Sequence, residues 1–591
     1  MRIPKRLAGL AAVAMAGALA VTACSPPETE DDTTDPGAVD LGWEGCEDNP
    51  DACHVGPVAE GGEFTMMISL PFEGWSQLRA GANSVYVLQA VEGIFPNLSR
   101  YNPSGEFVYD EHFYAEEPHL VNEDPLTISW TISEDAVWND GTPITYKDVK
   151  YIWYNASGNE DLCEGCEPPS TAVWGMVESV EGADDGKTVT VTLEEGANNP
   201  EWEVVFAAGG YPSHLAEEEG FDWENDPAAM GESTVWFTET MPTWSGGPWI
   251  IEDGTLTERV VKVPNENYWG PQPNLERIVG EVVADPGTWI PALRNRDIDG
   301  GSPATFDVDV FRELDTVDGI HYSAGSAGSV WEHIDIMTEH EYLSDLELRR
   351  AIFTAIDVEH TTTAIWGDDV PVNQRLNHTF SQLSPYFEDF RTPTGFGSGD
   401  VDAARAILED AGYTGAEAGD TLTTPDGDEV PPIRFRWTTG NTNRANTGEL
   451  VQEYLADIGI NVELDPSDDL GGMLVAGDYD LVIFGWSGSP LFVNGLTQLW
   501  TSPSGSNFNR IENDEIDALA AEALEQLSLD DAAVIANQLN ELLMNEAAVL
   551  PLWDSPAFDF ISDDFVNMRP NHNSSARLWY NQEEWGVLAA D

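Results

Sequence analysis

Apolar and polar positions change period several times along this chain. Phe64-Thr65-Met66-Met67-Ile68 reads as a strand that ends at Leu70-Pro71-Phe72, and Leu126 to Ile132 reads as another, before a turn at Asn139-Asp140-Gly141-Thr142-Pro143. Thr145 to Tyr154 then takes a helical period with Asp148 near its start, and Lys187 to Leu193 alternates like a strand with one face in water. Helical spacing also marks Leu346 to Ile356, Val401 to Ala411 before Gly412, Thr447 to Ile458 before Gly459, and Asp514 to Leu527. Ile433 to Trp437, a helix, Asn461 to Leu464 and Tyr479 to Phe484 follow one another as βαβ units, which predicts a parallel sheet. No internal repeat of fixed period is visible, and the pattern predicts an α/β fold in more than one lobe.

Composition changes this picture only in part. The chain has 591 residues, with 106 Asp+Glu against 25 Lys+Arg and a formal charge of -81. Its apolar share of 41% and its 21 tryptophans exclude a disordered acidic protein. The charge repels phosphate backbones and anionic headgroups, so nucleic-acid partners and polybasic membrane binding are excluded.

The first residues predict export. Arg2, Lys5 and Arg6 precede a short apolar run from Leu7 to Ala20, and Val21-Thr22-Ala23-Cys24 closes it, so residues 1–23 read as a signal peptide. Val21 to Cys24 resembles the bacterial lipobox, which implies lipidation at Cys24 and a protein tethered to the outer face of the cell membrane. From Cys24 to Gly61 the Pro, Asp, Thr and Glu content predicts an acidic flexible linker. The four other cysteines are an even set in an oxidising compartment, which favours the disulfides Cys46–Cys53 and Cys163–Cys166. A four-cysteine zinc site is the alternative, although the spacing of the first pair suits it poorly.

Catalytic templates are missing. There is no G-x-S-x-G elbow, no H-E-x-x-H pair and no phosphate-binding G-x-x-x-x-G-K-[ST] loop. Asp297-Ile298-Asp299-Gly300 and Asp426-Gly427-Asp428 leave the calcium-loop spacing incomplete and read as acidic turns, and His333 and His340 read as structural or surface histidines. No catalytic residue, metal site or cofactor is expected.

An ordered set of segments resembles the extracellular solute-binding proteins of the peptide/nickel ABC-transporter family. These are Trp138-Asn139-Asp140-Gly141-Thr142-Pro143 through Asp148-Val149, Ser245-Gly246-Gly247-Pro248-Trp249, Asn265-Glu266-Asn267-Tyr268-Trp269-Gly270, Asp345 to Asp357, Ala403 to Tyr413, Gly459 to Val462, and Asp478-Tyr479-Asp480. Arg349 and Arg350 are expected to pair with carboxylates on a helix surface, and Trp269 to pack in a core. The resemblance implies the type II periplasmic-binding-protein fold, two large lobes with a hinge and cleft plus an inserted domain. It divides the chain into a first lobe of 62–100, 237–304 and 560–591, an inserted domain of 101–236, and a further lobe of 305–559.

The resemblance also implies the function: a monomer that captures peptides and delivers them to an ABC permease and its ATPase subunits. It places the ligand at Trp486, Ser487, Gly488 and Ser489, after the strand ending at Phe484. The family's peptide binders carry an aspartate for the peptide's amino terminus where this chain has Ser489, which puts that anchor in doubt. Leu70, Pro71 and Phe72, and Asn441, Asn443 and Arg444, follow strands in the same way and are further candidates. Another solute, an oligosaccharide or a metal chelate, is the alternative of the same class, and an exported glycoside hydrolase is the alternative of a different one.

Overall fold

The structure is a computed structural model that describes residues 43–46, 49–96, 98–171, 173–206, 210–303, 306–325, 330–368, 370–487 and 491–590. All of them lie in the compact unit Val39–Asp591. Cys24 and the signal segment lie outside the described residues.

Three sheets organise the chain. In the first, Glu63–Ile68 is central because its side chains are apolar on both faces: Phe64, Met66 and Ile68 enter a tryptophan-rich core, while Met67 packs with Trp289, Ile290 and Leu293. It runs parallel to Arg277–Val282 and to the two-residue strand Gly300–Gly301. A Cβ on Gly301 would stand 2.3 Å from the Phe560 ring, so only glycine allows that strand to pair where it does. Ala557–Ser562, Ile320–Gly325, Arg259–Pro264 and Trp249–Thr255 complete seven strands. Ile320–Gly325, which follows the Thr305 boundary read from the sequence, thus pairs in this first sheet.

The inserted segment forms an antiparallel sheet of Tyr114–Glu123, Leu126–Ile132, Thr188–Leu193 and Val177–Gly182. The helix Tyr146–Ala156 packs beside Val177–Gly182 and begins in a capping box. Thr145 accepts from the first turn, while Asp148 Oδ2 accepts from the Thr145 N–H at 2.9 Å. Asp148 is buried, and its Oδ1 also takes the Ser213 hydroxyl at 2.7 Å and the Ser213 N–H at 3.0 Å.

In the third sheet Val462–Leu464, Ile433–Arg436 and Leu481–Ser487 are mutually parallel, as the βαβ pattern predicts, but Val330–Ile336 runs antiparallel between Leu481–Ser487 and Val549–Asp554, the last sharing the direction of the parallel strands. Leu346–Ala355, Val358–Trp366, Val401–Asp410 and Thr442–Ala456 share a core with one face of this sheet. Val493–Trp500, Asp514–Leu524 and Leu529–Glu546 share a core that reaches the other face through Trp331 and Val549. Arg350 pairs with Glu347 at 2.7 Å on the helix surface. Arg349 also has a carboxylate partner, Glu546 Oε2 at 3.9 Å from its Nη2, but it is buried rather than on the surface, and its guanidinium donates to the Leu343, Ser344 and Glu546 carbonyls. Trp269 packs partly buried against Phe113.

The N-terminal stretch read as linker is folded from Trp43 onward. Trp43 is buried, its indole N–H donates to Met568 O at 2.8 Å, and Cys46 is bonded to Cys53. Arg569 donates to the Cys53 carbonyl, and Ala59 N–H to Val587 O. One aromatic anchor and one disulfide hold a segment whose composition alone lacks a core. Cys163 is bonded to Cys166 in the inserted domain. No helix among the described residues is long and apolar enough to cross a membrane.

Candidate functional site

Strand direction decides where a ligand has room. The chain passes between the first and third sheets from Gly325 to Val330, across 326–329, and from Asp554 to Ala557 through Ser555 and Pro556. Ser555 N–H donates to Val330 O at 2.8 Å and ties the two passages together. At this edge lie the carboxyl ends of Glu63–Ile68 and Ile320–Gly325 in one sheet, and of Ile433–Arg436, Leu481–Ser487 and Val549–Asp554 in the other. The carboxyl ends of parallel strands are where α/β sheets offer a crevice.

Trp486 stands at that edge, half-buried, opposite Trp331 in the strand register. Its ring stacks on Phe508 at 5.5 Å with an interplanar angle of 7°, and lies nearly parallel to His333 at 6.2 Å. His333 is buried and its Nδ1 is 2.7 Å from Asp335 Oδ1, which fixes the ring behind the indole; among the described residues its Nε2 has no hydrogen-bond partner. His340 Nε2 lies 3.6 Å from Asp480. The backbone of Ser487 pairs with Val330, and Gly488, Ser489 and Pro490 lie outside the described residues.

On the opposite face of the same strand, Gly485 leaves room for an ion pair. A Cβ there would be 2.9 Å from Glu332 Oε1, whose carboxylate takes both forks of Arg444, Nη2 at 2.8 Å and Nε at 3.0 Å. Arg444 Nη1 also donates to Thr438 Oγ1 at 3.2 Å. Asn441 caps Thr442–Ala456, with its side chain accepting the Arg444 N–H at 3.0 Å, and the Asn443 carbonyl accepts Thr447 Oγ1. These residues begin a helix. Leu70 and Pro71 are exposed at the first sheet's edge, whereas Phe72 is buried edge-on to Trp75 at 5.3 Å.

Two further guanidinium groups flank the edge, each held by a carboxylate. Arg375 meets Asp554 at 2.8 Å, and Arg577 meets Asp559 at 2.9 Å. Burial lowers the Arg375 pKa and raises that of Asp554, with their mutual attraction opposing both shifts. Beside them, burial pushes His378 down to about 3, so its ring is neutral; its Nε2 lies 3.1 Å from Val549 O. Glu332 and His378 were not singled out in the sequence. Their partners lie 112 and 171 residues away, and a spacing argument cannot reach that far.

Two lobes built on mixed sheets and joined by two chain passages, with an inserted antiparallel domain, define a periplasmic-binding-protein fold of type II. Residues 113–508 match the family of bacterial extracellular solute-binding proteins, family 5. The chain belongs to that family, whose members are non-enzymatic components of transport, and the glycoside-hydrolase alternative falls. It is 26% identical over 520 residues to the oligopeptide-binding protein OppA of Mycobacterium tuberculosis, covering 86% of this chain and 82% of that one. Among solved structures, the periplasmic EDTA-binding protein EppA matches 92% of this chain and 99% of its own at 25% identity, with a TM-score of 0.83. The oligopeptide-binding protein AppA of Bacillus subtilis, in complex with a nonapeptide, matches 90% of this chain at 16% identity with a TM-score of 0.69, a likeness of fold.

Proposed function

We propose that this protein is the lipid-tethered receptor of an ABC importer, capturing peptides between its lobes and delivering them to a permease energised by separate ATPase subunits. The observation that carries the peptide reading is the state of the arginines at the crevice: Arg444, Arg375 and Arg577 are each paired with a carboxylate of this chain. A polyanionic chelate needs uncompensated cations, whereas a neutral or zwitterionic peptide needs backbone partners and apolar walls. Trp486 supplies a wall, the backbone of Ser487 at its strand's end a partner for β-type pairing, with Gly488 and Ser489 next in sequence as further candidates, and Leu70 and Pro71 a rim backed by the buried Phe72. Asn441, Asn443 and Arg444 complete the site, with Arg444 acting through its pair with Glu332. The likeness to the mycobacterial oligopeptide-binding protein supports the same reading. The protein acts as a monomer, with Cys24 as its lipid attachment.

A second reading, a metal chelate, is favoured by the likeness to the EDTA-binding protein. Calorimetry separates the two. Peptide pools fractionated by length should bind, and Fe(III)-EDTA and Ni-histidine should not. Saturable chelate binding without peptide binding would replace the first reading with the second. Native mass spectrometry of protein purified from its own host would then identify the physiological ligand.

A further inference from the structure

The segment 198–201 precedes the short helix Trp202–Val205 of the inserted domain and crosses to the lobe of the third sheet at two points. The Glu201 side chain is buried, and its Oε1 accepts from the N–H groups of Phe492 at 2.5 Å and Val493 at 2.8 Å, while Asn494 Nδ2 donates to its Oε2 at 3.2 Å. Three residues earlier, Asn198 Nδ2 donates to the carbonyls of Glu525 at 2.8 Å and Gln526 at 3.1 Å, just past the end of Asp514–Leu524. A carboxylate thus meets the amino end of one helix and an amide the carboxyl end of another, each matched to the sign of the local dipole. Val493–Trp500 has no cap of its own, because Phe492 stands at its N-cap position without a side-chain acceptor. Its cap comes from the inserted domain.

Among the described residues, no donor from its own domain reaches the Glu201 carboxylate. Asn199 Oδ1 accepts the Glu201 N–H at 2.9 Å and shapes the turn, but the three donors to the carboxylate all belong to the opposite lobe. A buried carboxylate that lost them would be strongly destabilised, whereas the same group in water is not. Burial raises the Glu201 pKa and the donors oppose that rise. The contact therefore favours the arrangement in which the inserted domain and the lobe of the third sheet touch.

We infer that Asn198 and Glu201 form a latch that couples closing of the lobes to the ordering of the first turn of Val493–Trp500. Glu201 is a positioning residue: it acts on the crevice through the first turn of Val493–Trp500. When the lobes part, Glu201 hydrates, Phe492 and Val493 lose their acceptor, and the start of the helix loosens. This goes beyond the identity of the ligand and rests only on hinge closure.

The test uses the full ligand-free chain, so a failure of the peptide reading leaves it intact. Spin labels are placed through an unnatural amino acid at Glu178 and Glu522, one on each side, and the distance distribution is measured in the parent, Glu201→Ala, Glu201→Gln and Asn198→Ala. The latch requires a shift of population toward longer distances in all three, smallest for Asn198→Ala. Hydrogen exchange at Phe492 and Val493 should quicken at least ten-fold in Glu201→Ala, with Leu481 to Phe484 unchanged. If the alanine variant does not fold, the other two carry the same comparison. Parent-like distances together with parent-like exchange at Phe492 and Val493 would overturn the latch.

Discussion

Trp486 is braced by Phe508 on one side and by the His333–Asp335 pair behind it, so its indole can face a ligand without losing side-chain entropy on binding. Trp486→Ala should weaken peptide binding by about 1–3 kcal/mol, since truncating a packed aromatic removes area and leaves a void. On the proposed reading, which sets Ser489 where the family's peptide binders carry an aspartate, free and N-acetylated peptides of one sequence should bind within about 1 kcal/mol of each other by calorimetry. A large acetylation penalty would point to Glu332, the carboxylate already over Gly485. His378 gives a second residue-scale expectation. The fold accepts only its neutral ring, so the folded pKa of about 3 lies below the ordinary 6.5. The unfolded chain takes up the proton first, and stability is lost as pH falls through that window. From pH 7 to pH 5 this group should account for about 2 kcal/mol, a slope that urea titrations should find reduced in His378→Gln. The strand end that carries Trp486 was legible because the apolar run from Tyr479 to Phe484 is a local signal, while the place of Trp486 in the proposed site rests on the family resemblance. The engagement of Arg444 was not: Asn441-Thr442-Asn443-Arg444 reads as a polar loop, and only the distant Glu332 shows it to be a capped first turn.

Elements with strong periods were read nearly to the residue. Leu126–Ile132 and Leu346–Ala355 owe this to clean patterns bounded by turn or capping residues. Thr442–Ala456 was read five residues short because its first turn carries no apolar signal. Leu529–Glu546, with eighteen residues, was not read at all. Its signal was present in Ala532, Ile535, Ala536, Leu539 and Leu543 on one face and Ser528 as cap, but alanine weighs little in an apolar count. Asp148 shows how one side chain serves several elements. It closes the capping box of Tyr146–Ala156, fixes Ser213 at the start of another helix and accepts the Trp138 indole. Asp148→Ala should cost about 3 kcal/mol, from one lost cap and buried donors left unpaired, read as a lowered denaturation midpoint.

At the scale of the whole molecule, the fold class was legible because family blocks fall in order along the chain, while the lobe edges were not, since they depend on strand pairings between distant segments such as Ile320–Gly325 with Ala557–Ser562. The proposed anchor makes the remaining prediction. Cys24→Ala should move the protein from the membrane fraction to the soluble fraction, because lipid chains hold where a body of this charge cannot; fractionation and intact mass decide it. The Trp43 anchor bears on what such a mooring does. Trp43, the Cys46–Cys53 loop and Val58 pack around Met568, Val587 and Leu588, near the amino end of the strand that starts at Glu63, whereas the crevice lies at that strand's carboxyl end. A pull on the chain at Trp43 is therefore carried by the heel of the first lobe and crosses neither Ser555–Pro556 nor the contact at Glu201. Load on the mooring does no work on the opening of the jaws, so a molecule cut free of its anchor should hold its cargo as tightly as one still attached.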